Sequence, residues 1–365
     1  MSDTRFMALA LSLGRRGQGR CAPNPSVGCV IVKDGRIVGR GWTQPGGRPH
    51  AETEALRRAG AAAEGATAYV TLEPCAHHGR TPPCAEALIA AGVARVVVAA
   101  SDPDPRVAGK GVEMLRTAGI HVDTGICEAA AERDLAGFLY KIELDRPFVT
   151  LKLATSFDGR IATGAGHSQW ITDAPARRVV HAMRARHDAV MVGGGTARQD
   201  DPSLTVRGLG VTQNPARVVV SRRLDLPLMG QLARSARMVP VLLCHGKDAD
   251  PMLQRTWSDL GATLLPCETA SGQLDITDVL RQLALHGLTR VFCEGGSALA
   301  ASLIEADLVD QLVGFTAGLA IGAEGLPGIG ALGLSTLDEA PRYQMIETRP
   351  VGPDVLHIWE RRLTP

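Results

Sequence analysis

Apolar and polar positions along this chain switch repeatedly between a period of two and a period near 3.6, the alternation that builds layered α/β proteins. In the first part, β-rich runs are expected at 27–32, 36–41, 68–72 and 95–100. The first two face each other across Lys33-Asp34-Gly35, where Asp-Gly signals a hairpin. Helical patterns are expected around Phe6–Leu11, from Pro49 through Arg58, at 84–91 up to Gly92, at 111–118, and over a long Ala- and Glu-rich stretch, 127–143. Leu144-Asp145-Arg146-Pro147 stops that last helix and precedes a new strand at 148–153, which predicts one domain over 1–145 and another over 146–365. The second part alternates again. Strands are expected at 189–192, 217–220, 239–243, 262–265 and 290–293, with helices at 175–186, 251–260, 276–286 and 298–306 between them. The final stretches, 311–317 and 343–360, return to strand. The fold class is α/β in both parts, the first of three layers; periodicity does not name the fold of the second.

Composition narrows the picture little. The 45% hydrophobic and 21% charged fractions over 365 residues suit a soluble protein with two cores. No apolar stretch is long enough to span a bilayer. The segment from Phe6 has Asp3 before it and Arg15-Arg16 after it, the reverse of a secretory leader, so a first amphipathic helix is expected. Eight Cys scattered through the chain lack the density of a disulfide framework, which predicts a reducing, cytoplasmic setting. Charge is informative by its distribution: 18 basic and 16 acidic residues lie in 1–146, leaving 21 and 22 for the rest. Neither part has the positive excess that binding a phosphate backbone requires.

The chemistry concentrates in two short stretches. Pro49-His50-Ala51-Glu52 is followed by Pro74-Cys75 and then Gly79-Arg80-Thr81-Pro82-Pro83-Cys84. One His and two Cys hold a zinc ion with three protein ligands and leave a fourth position for water, a catalytic rather than structural arrangement. H-x-E followed by P-C and a further Cys is the zinc-deaminase signature. His50, Cys75 and Cys84 are the expected ligands, and Glu52 the catalytic proton carrier. His50 and Glu52 reach one ion only if the helix begins at Pro49 or His50, since residues two apart do not share a helix face. Pro74-Cys75 and Pro83-Cys84 both read as helix starts, where the dipole favours thiolate. The other six Cys read as small core residues. His77 and His78 read as alternative ligands or, preferably, as loop residues near substrate.

At this point the sequence resembles the bifunctional deaminase/reductase of riboflavin biosynthesis. Pro23-Asn24-Pro25-Ser26-Val27-Gly28, His50-Ala51-Glu52, Leu72-Glu73-Pro74-Cys75 and the 79–84 loop match its first half. Leu151-Lys152-Leu153-Ala154-Thr155-Ser156-Phe157-Asp158-Gly159-Arg160-Ile161-Ala162 matches its second. Eight residues separate the two Cys ligands, as in this family. The resemblance implies a cytidine-deaminase-like domain followed by a dihydrofolate-reductase-like domain. The first would use zinc hydroxide to deaminate 2,5-diamino-6-(5-phosphoribosylamino)pyrimidin-4(3H)-one. The second would use NADPH to reduce the ribosyl group to ribityl, giving 5-amino-6-(5-phosphoribitylamino)uracil. The partners expected are small phosphorylated pyrimidines, with no nucleic acid and no membrane, in a homo-oligomer.

The resemblance also carries residues. Asn24, Arg80 and Asp102 match contacts to the deaminase substrate. Ala154, Trp170, Thr196 and Asp200 match cofactor contacts, while Lys152, Ser168, Arg184, Leu204, Arg207 and Glu294 match the reductase substrate site. From the residues alone, Arg184 and Arg207 suit a sugar phosphate, because a guanidinium grips two oxygens at once. Gly193-Gly194-Gly195-Thr196 and Gly295-Gly296-Ser297 each follow an expected strand, the generic form of a phosphate cradle. The second cradle and its helix put Gly296, Ser297, Ala298, Leu299, Ala300, Ala301 and Ser302 in the expected cofactor site. Two departures stand out. Asp104 replaces the family's usual Asn, which puts a direct substrate contact there in doubt. Ser221-Arg222 replaces Asp-Ser, so that Arg222 either meets the 2′-phosphate of NADPH or points into solvent. Two rival readings remain: a polynucleotide-editing zinc deaminase with an appended domain, against which the charge distribution counts, and a zinc-stabilised non-catalytic scaffold, against which Glu52 and the three-ligand count speak.

Overall fold

The structure, a computed structural model, describes residues 3–79 and 82–361. The described residues fall into two compact units, Met1–Arg146 and Pro147–Pro365.

The first unit is built on a five-stranded sheet whose order is Arg36–Trp42, Gly28–Lys33, Thr67–Leu72, Arg95–Ala100 and His121–Thr124. The two pairings of Gly28–Lys33 are antiparallel and the remaining two are parallel. The helices Asp3–Gly14 and Glu128–Glu143 touch each other and the sheet; Ala51–Ala59, Cys84–Ala90 and Lys110–Thr117 form a second group in mutual contact, making the expected three layers. Strands 67–72 and 95–100 are buried almost throughout, as their unbroken apolar runs require of parallel strands covered on both faces. The core joins Met7, Ile31, Val70, Leu88, Val97 and Leu115. Asp3 fastens the first helix to the sheet, accepting hydrogen bonds from the Tyr69 hydroxyl (2.7 Å) and from both Arg95 terminal nitrogens (3.0 and 2.9 Å).

The second unit carries a nine-stranded sheet, in order Thr263–Cys267, Val241–Gly246, Ala216–Val220, Ala189–Gly193, Arg290–Gly295, Phe148–Ser156, Gln311–Ala317, Asp354–Arg361 and Tyr343–Val351. The first seven are parallel and the last two close one edge as an antiparallel hairpin. From Phe148–Ser156 the chain skips a place to Ala189–Gly193 and works outward. It then returns to insert Arg290–Gly295 into the gap. Such a reversal of strand order leaves a crevice at the carboxyl ends of the strands, where ligands bind in open α/β sheets. Val149, Met191, Val218, Leu242, Leu280 and Leu303 form one core of this unit; Val190, Val219, Leu243 and Trp257 form another.

Candidate active sites

In the first unit the three ligand residues arrive from different elements. His50 has extended backbone (φ −69°, ψ 163°) and caps the helix Ala51–Ala59 rather than belonging to it. That step lets His50 and Glu52 converge, which no pair two apart inside a helix does. Cys84 is the first residue of the helix Cys84–Ala90. Cys75, expected at a helix start, instead lies in an irregular loop after strand Thr67–Leu72. Its thiolate is served by the other ligand's helix: the Cys84 backbone N–H donates to Cys75 Sγ at 3.3 Å.

His50 Nδ1 is 3.3 Å from Cys84 Sγ and 3.8 Å from Cys75 Sγ, and one donor atom of each residue lies within 4.8 Å of the others. The edges of a zinc tetrahedron built from sulfur and nitrogen ligands are about 3.5–3.8 Å, so the donor set fits zinc. Hydrogen bonds to Cys84 and His50 pull the Cys75 thiol down to about 4. Cys84 is pushed upward in turn, chiefly by sharing a proton with Cys75. A dication would displace that proton and leave two thiolates and a neutral imidazole, a charge-neutral set. His77 and His78 stand outside the donor cluster, and His78 faces Glu86 at 3.5 Å.

Glu52 is 4% exposed, close enough to Cys84 to hydrogen bond with it, and burial raises its carboxyl to about 7. Among the expected substrate residues, the Asn24 amide donates to the Gly47 carbonyl at 2.9 Å, and Asp102 is buried with one oxygen accepting the Asp104 N–H at 2.9 Å. Arg80 lies outside the described residues. Sequence reasoning passed over Glu73. Its carboxylate accepts backbone N–H groups of Gly109, Gly111 and Val112 at 3.0, 3.0 and 3.2 Å, tying the start of Cys75's loop to the N-terminus of helix Lys110–Thr117. The signal available was Gly111, where a Cβ would stand 2.0 Å from the Pro74 carbonyl oxygen.

In the second unit a cavity of about 1150 Å³ opens at the strand reversal. Two strand–glycine–helix turns flank it side by side: Ala189–Gly193 into Gly194–Asp200, and Arg290–Gly295 into Ser297–Glu305. Gly295 and Gly296 have φ of +107° and +85°, which only glycine adopts freely, and a Cβ on Gly296 would crowd Thr196 Oγ1 at 3.1 Å. Backbone N–H groups at two adjacent helix starts, a cavity large enough for a dinucleotide, and an exposed indole at its rim fit NADPH. That indole is Trp170, with Arg177 stacked 4.5 Å from its ring centre.

The cavity wall includes Lys152, Ala154, Ser168, Trp170, Arg184, Thr196, Asp200, Arg207, Arg222 and Glu294, with Gly296–Leu299 and Ser302. Three expected residues are not brought to it. Leu204, Ala300 and Ala301 are buried at 3%, 0% and 6% exposure and pack inward. Leu204 takes the left-handed conformation (φ +53°) and so shapes the bend from which Arg207 projects. Arg184 is committed elsewhere: Nη2 meets Glu294 Oε2 at 3.0 Å, Nε meets the other oxygen, and Nη1 donates to the Thr205 carbonyl at 2.8 Å. Three of its five N–H donors are thus engaged within the protein, two of them in holding Glu294, whereas the side chain of Arg207 is exposed at the cavity. Burial pushes the Lys152 amine down, against the field of Glu294. Arg222 takes neither simple alternative. It lines the cavity, but Nη2 pairs with Asp248 at 2.7 Å and Nη1 donates to the Gly272 carbonyl at 2.8 Å.

Known proteins repeat this two-part arrangement. Residues 1–100 match the cytidine and deoxycytidylate deaminase zinc-binding region, and residues 147–357 match the RibD C-terminal domain. The chain is 43% identical to the riboflavin biosynthesis protein RibD of Escherichia coli, covering 98% of this chain and 99% of that one. Form 1 of Acinetobacter baumannii RibD superposes with a TM-score of 0.89 at 38% identity, covering 99% of each chain. A Thermotoga maritima structure described as a diaminohydroxyphosphoribosylaminopyrimidine deaminase/5-amino-6-(5-phosphoribosylamino)uracil reductase gives 0.86 at 34% identity, again over 99% of each. The first unit thus has the cytidine-deaminase fold and the second the dihydrofolate-reductase-like fold of these reductases. No helix among the described residues is long and apolar enough to cross a membrane. With a zinc triad at the strand ends of one unit and a dinucleotide-sized glycine-walled cavity in the other, the chain belongs to the RibD family of bifunctional riboflavin-biosynthesis enzymes, a zinc-dependent deaminase joined to an NADPH-dependent reductase.

Proposed function

We propose that the first unit deaminates 2,5-diamino-6-(5-phosphoribosylamino)pyrimidin-4(3H)-one and that the second reduces the ribosyl group of the product to ribityl, yielding 5-amino-6-(5-phosphoribitylamino)uracil. The observation that carries this reading is the pairing, in one chain, of a three-ligand zinc site backed by buried Glu52 with a cavity combining a dinucleotide cradle and an exposed Arg207. His50, Cys75 and Cys84 hold the metal. Zinc, when bound, supplies the Lewis acidity that makes a nucleophile from water at neutral pH. Glu52 is not needed as a ligand, and its carboxylate takes the proton from water and returns it to the departing amine, which leaves as ammonia. Asn24, Asp102 and Arg80 orient the pyrimidine and its phosphoribosyl arm.

In the second unit Thr196, Asp200 and the helix start Gly296–Leu299 with Ser302 receive NADPH, with Ala154 and Trp170 bounding it and Arg222 on the wall. Lys152 and Glu294 line the cavity together where the sugar would lie, placed to hold its oxygen and supply a proton there; NADPH, when bound, would supply the hydride. Arg184 fixes Glu294, Ser168 borders the sugar, and Arg207, projecting from the Leu204 bend, binds the phosphate. The substrate is a small molecule and not nucleic acid, in keeping with the even charge of both halves. Eight free cysteines favour a reducing, cytoplasmic setting. A homo-oligomer is favoured by the edge strand Tyr343–Val351, where Met345 and Ile346 are exposed. Purified protein given the diaminopyrimidine phosphate and NADPH tests the reading: it should release ammonia, consume NADPH in step and contain one zinc per chain. Protein with zinc that releases no ammonia from this compound would overturn it.

A further inference from the structure

We infer that Arg106 is a positioning residue for deamination: it cancels the charge of Asp104 on the loop beside that of Cys75, so that an anionic substrate is not repelled there. The inference rests on the phosphoribosyl-pyrimidine reading above. Strands Thr67–Leu72 and Arg95–Ala100 run parallel with Leu72 opposite Ala100, so the loops leaving their carboxyl ends are neighbours. One loop carries Cys75 and His77; the other carries Asp102, Asp104 and Arg106. Glu73 clamps the two together through Gly109, Gly111 and Val112.

The carboxylates of Glu73, Asp102 and Asp104 thus gather on the loops beside the ligand Cys75, where the functional reading above brings a phosphorylated molecule. Asp104 is 6% exposed, and its carboxylate accepts the Arg106 backbone N–H at 2.9 Å, Nε at 3.0 Å and Nη2 at 2.5 Å. Arg106 itself is 69% exposed along its side chain, and its Nη1 edge makes no hydrogen bond among the described residues. An amide at 104 would accept the same backbone N–H and preserve the turn. What the guanidinium adds is charge. Arg106 is exposed but Asp104 is buried, so Arg106→Ala leaves a buried carboxylate unpaired, and the double variant, which removes both charges, separates repulsion of substrate from loss of stability.

The test is steady-state deamination of the diaminopyrimidine phosphate by the full chain, at low and high salt. Arg106→Ala should raise KM about tenfold at low salt with kcat within about twofold, because an unpaired carboxylate now repels the phosphate. The penalty should shrink as salt rises. Arg106→Lys should recover most of the loss. The double variant Asp104→Asn/Arg106→Ala should return KM to within about threefold of wild type, since it removes both charges and leaves the turn. Zinc content at the wild-type level in each variant shows that the first unit, which carries all three ligands, is folded. An unmoved KM in Arg106→Ala overturns the inference. So does a double variant as weak as Arg106→Ala, which would make Arg106 a direct phosphate ligand. Wild-type protein that leaves the substrate untouched would instead overturn the functional reading on which the pairing rests.

Discussion

Single residues separate roles that the family match alone runs together. Glu52 is buried against Cys84 yet contributes no atom to the donor cluster, the placement on which its proposed role in proton transfer rests. Glu52→Gln should lower deamination by at least about a hundredfold while zinc content, read by atomic absorption, stays at wild-type level. NADPH oxidation with pre-deaminated substrate should persist. Near-normal deamination, or loss of the metal, would remove Glu52 from that role. At the second site, Arg184 is spent on Glu294 and Arg207 is exposed at the cavity. Arg207→Ala should therefore weaken the reductase substrate roughly ten- to a hundredfold, the range for a hydrogen bond to a charged group, and leave NADPH affinity unchanged. Arg207→Lys should recover only part, since an ammonium lacks the two-pronged geometry. A titration in which Arg207→Ala loses NADPH instead would move it to the cofactor.

At the scale of elements, sequence pattern gave most of the strands and helices but not what joins them. The buried parallel strands were legible because apolar runs such as Val96–Val97–Val98 have no other soluble home. His121–Thr124 was not, since its four residues are exposed at one face and end, and so carry no period. The short helix Gly194–Asp200 hides behind three glycines, a composition that argues against helix until the packing of Gly194 under Ser221 is seen. Cys75 was expected to start a helix because Pro precedes it. Its loop conformation comes instead from the tether between Glu73 and the start of helix Lys110–Thr117, a contact between residues 36 to 39 apart in sequence. Gly111 sits at the centre of that tether, and a Cβ there meets the Pro74 carbonyl oxygen at 2.0 Å. Gly111→Ala must push the loop away from the helix, at a cost of about 1–3 kcal/mol. We expect a lower melting temperature and weaker zinc retention against a chelator, measured together. Unchanged values for both would show that the loop is placed without this approach.

Across the whole molecule, the two chemistries are carried by separate cores. Every residue of the core beneath the zinc triad lies between Phe6 and Leu139, and every residue of the cores around the reductase cavity lies beyond Phe148. The donor atoms for zinc come only from the first set, and the cavity-lining residues only from the second. A chelator should accordingly stop deamination of the intact protein and leave oxidation of NADPH by pre-deaminated substrate untouched. The stronger test removes the first unit altogether. A fragment beginning near Asp145 keeps Phe148–Ser156, the central strand that carries Lys152, and all of its hydrogen-bonded neighbours in the sheet. It should fold cooperatively, as seen by circular dichroism and a single thermal transition, and it should oxidise NADPH when supplied with the deaminated intermediate. Its KM for that intermediate should be within about threefold of the full chain, because Arg207, Glu294 and Lys152 are all retained. A soluble, folded fragment that binds NADPH but turns nothing over would show that the reductase site is completed by the first half of the chain.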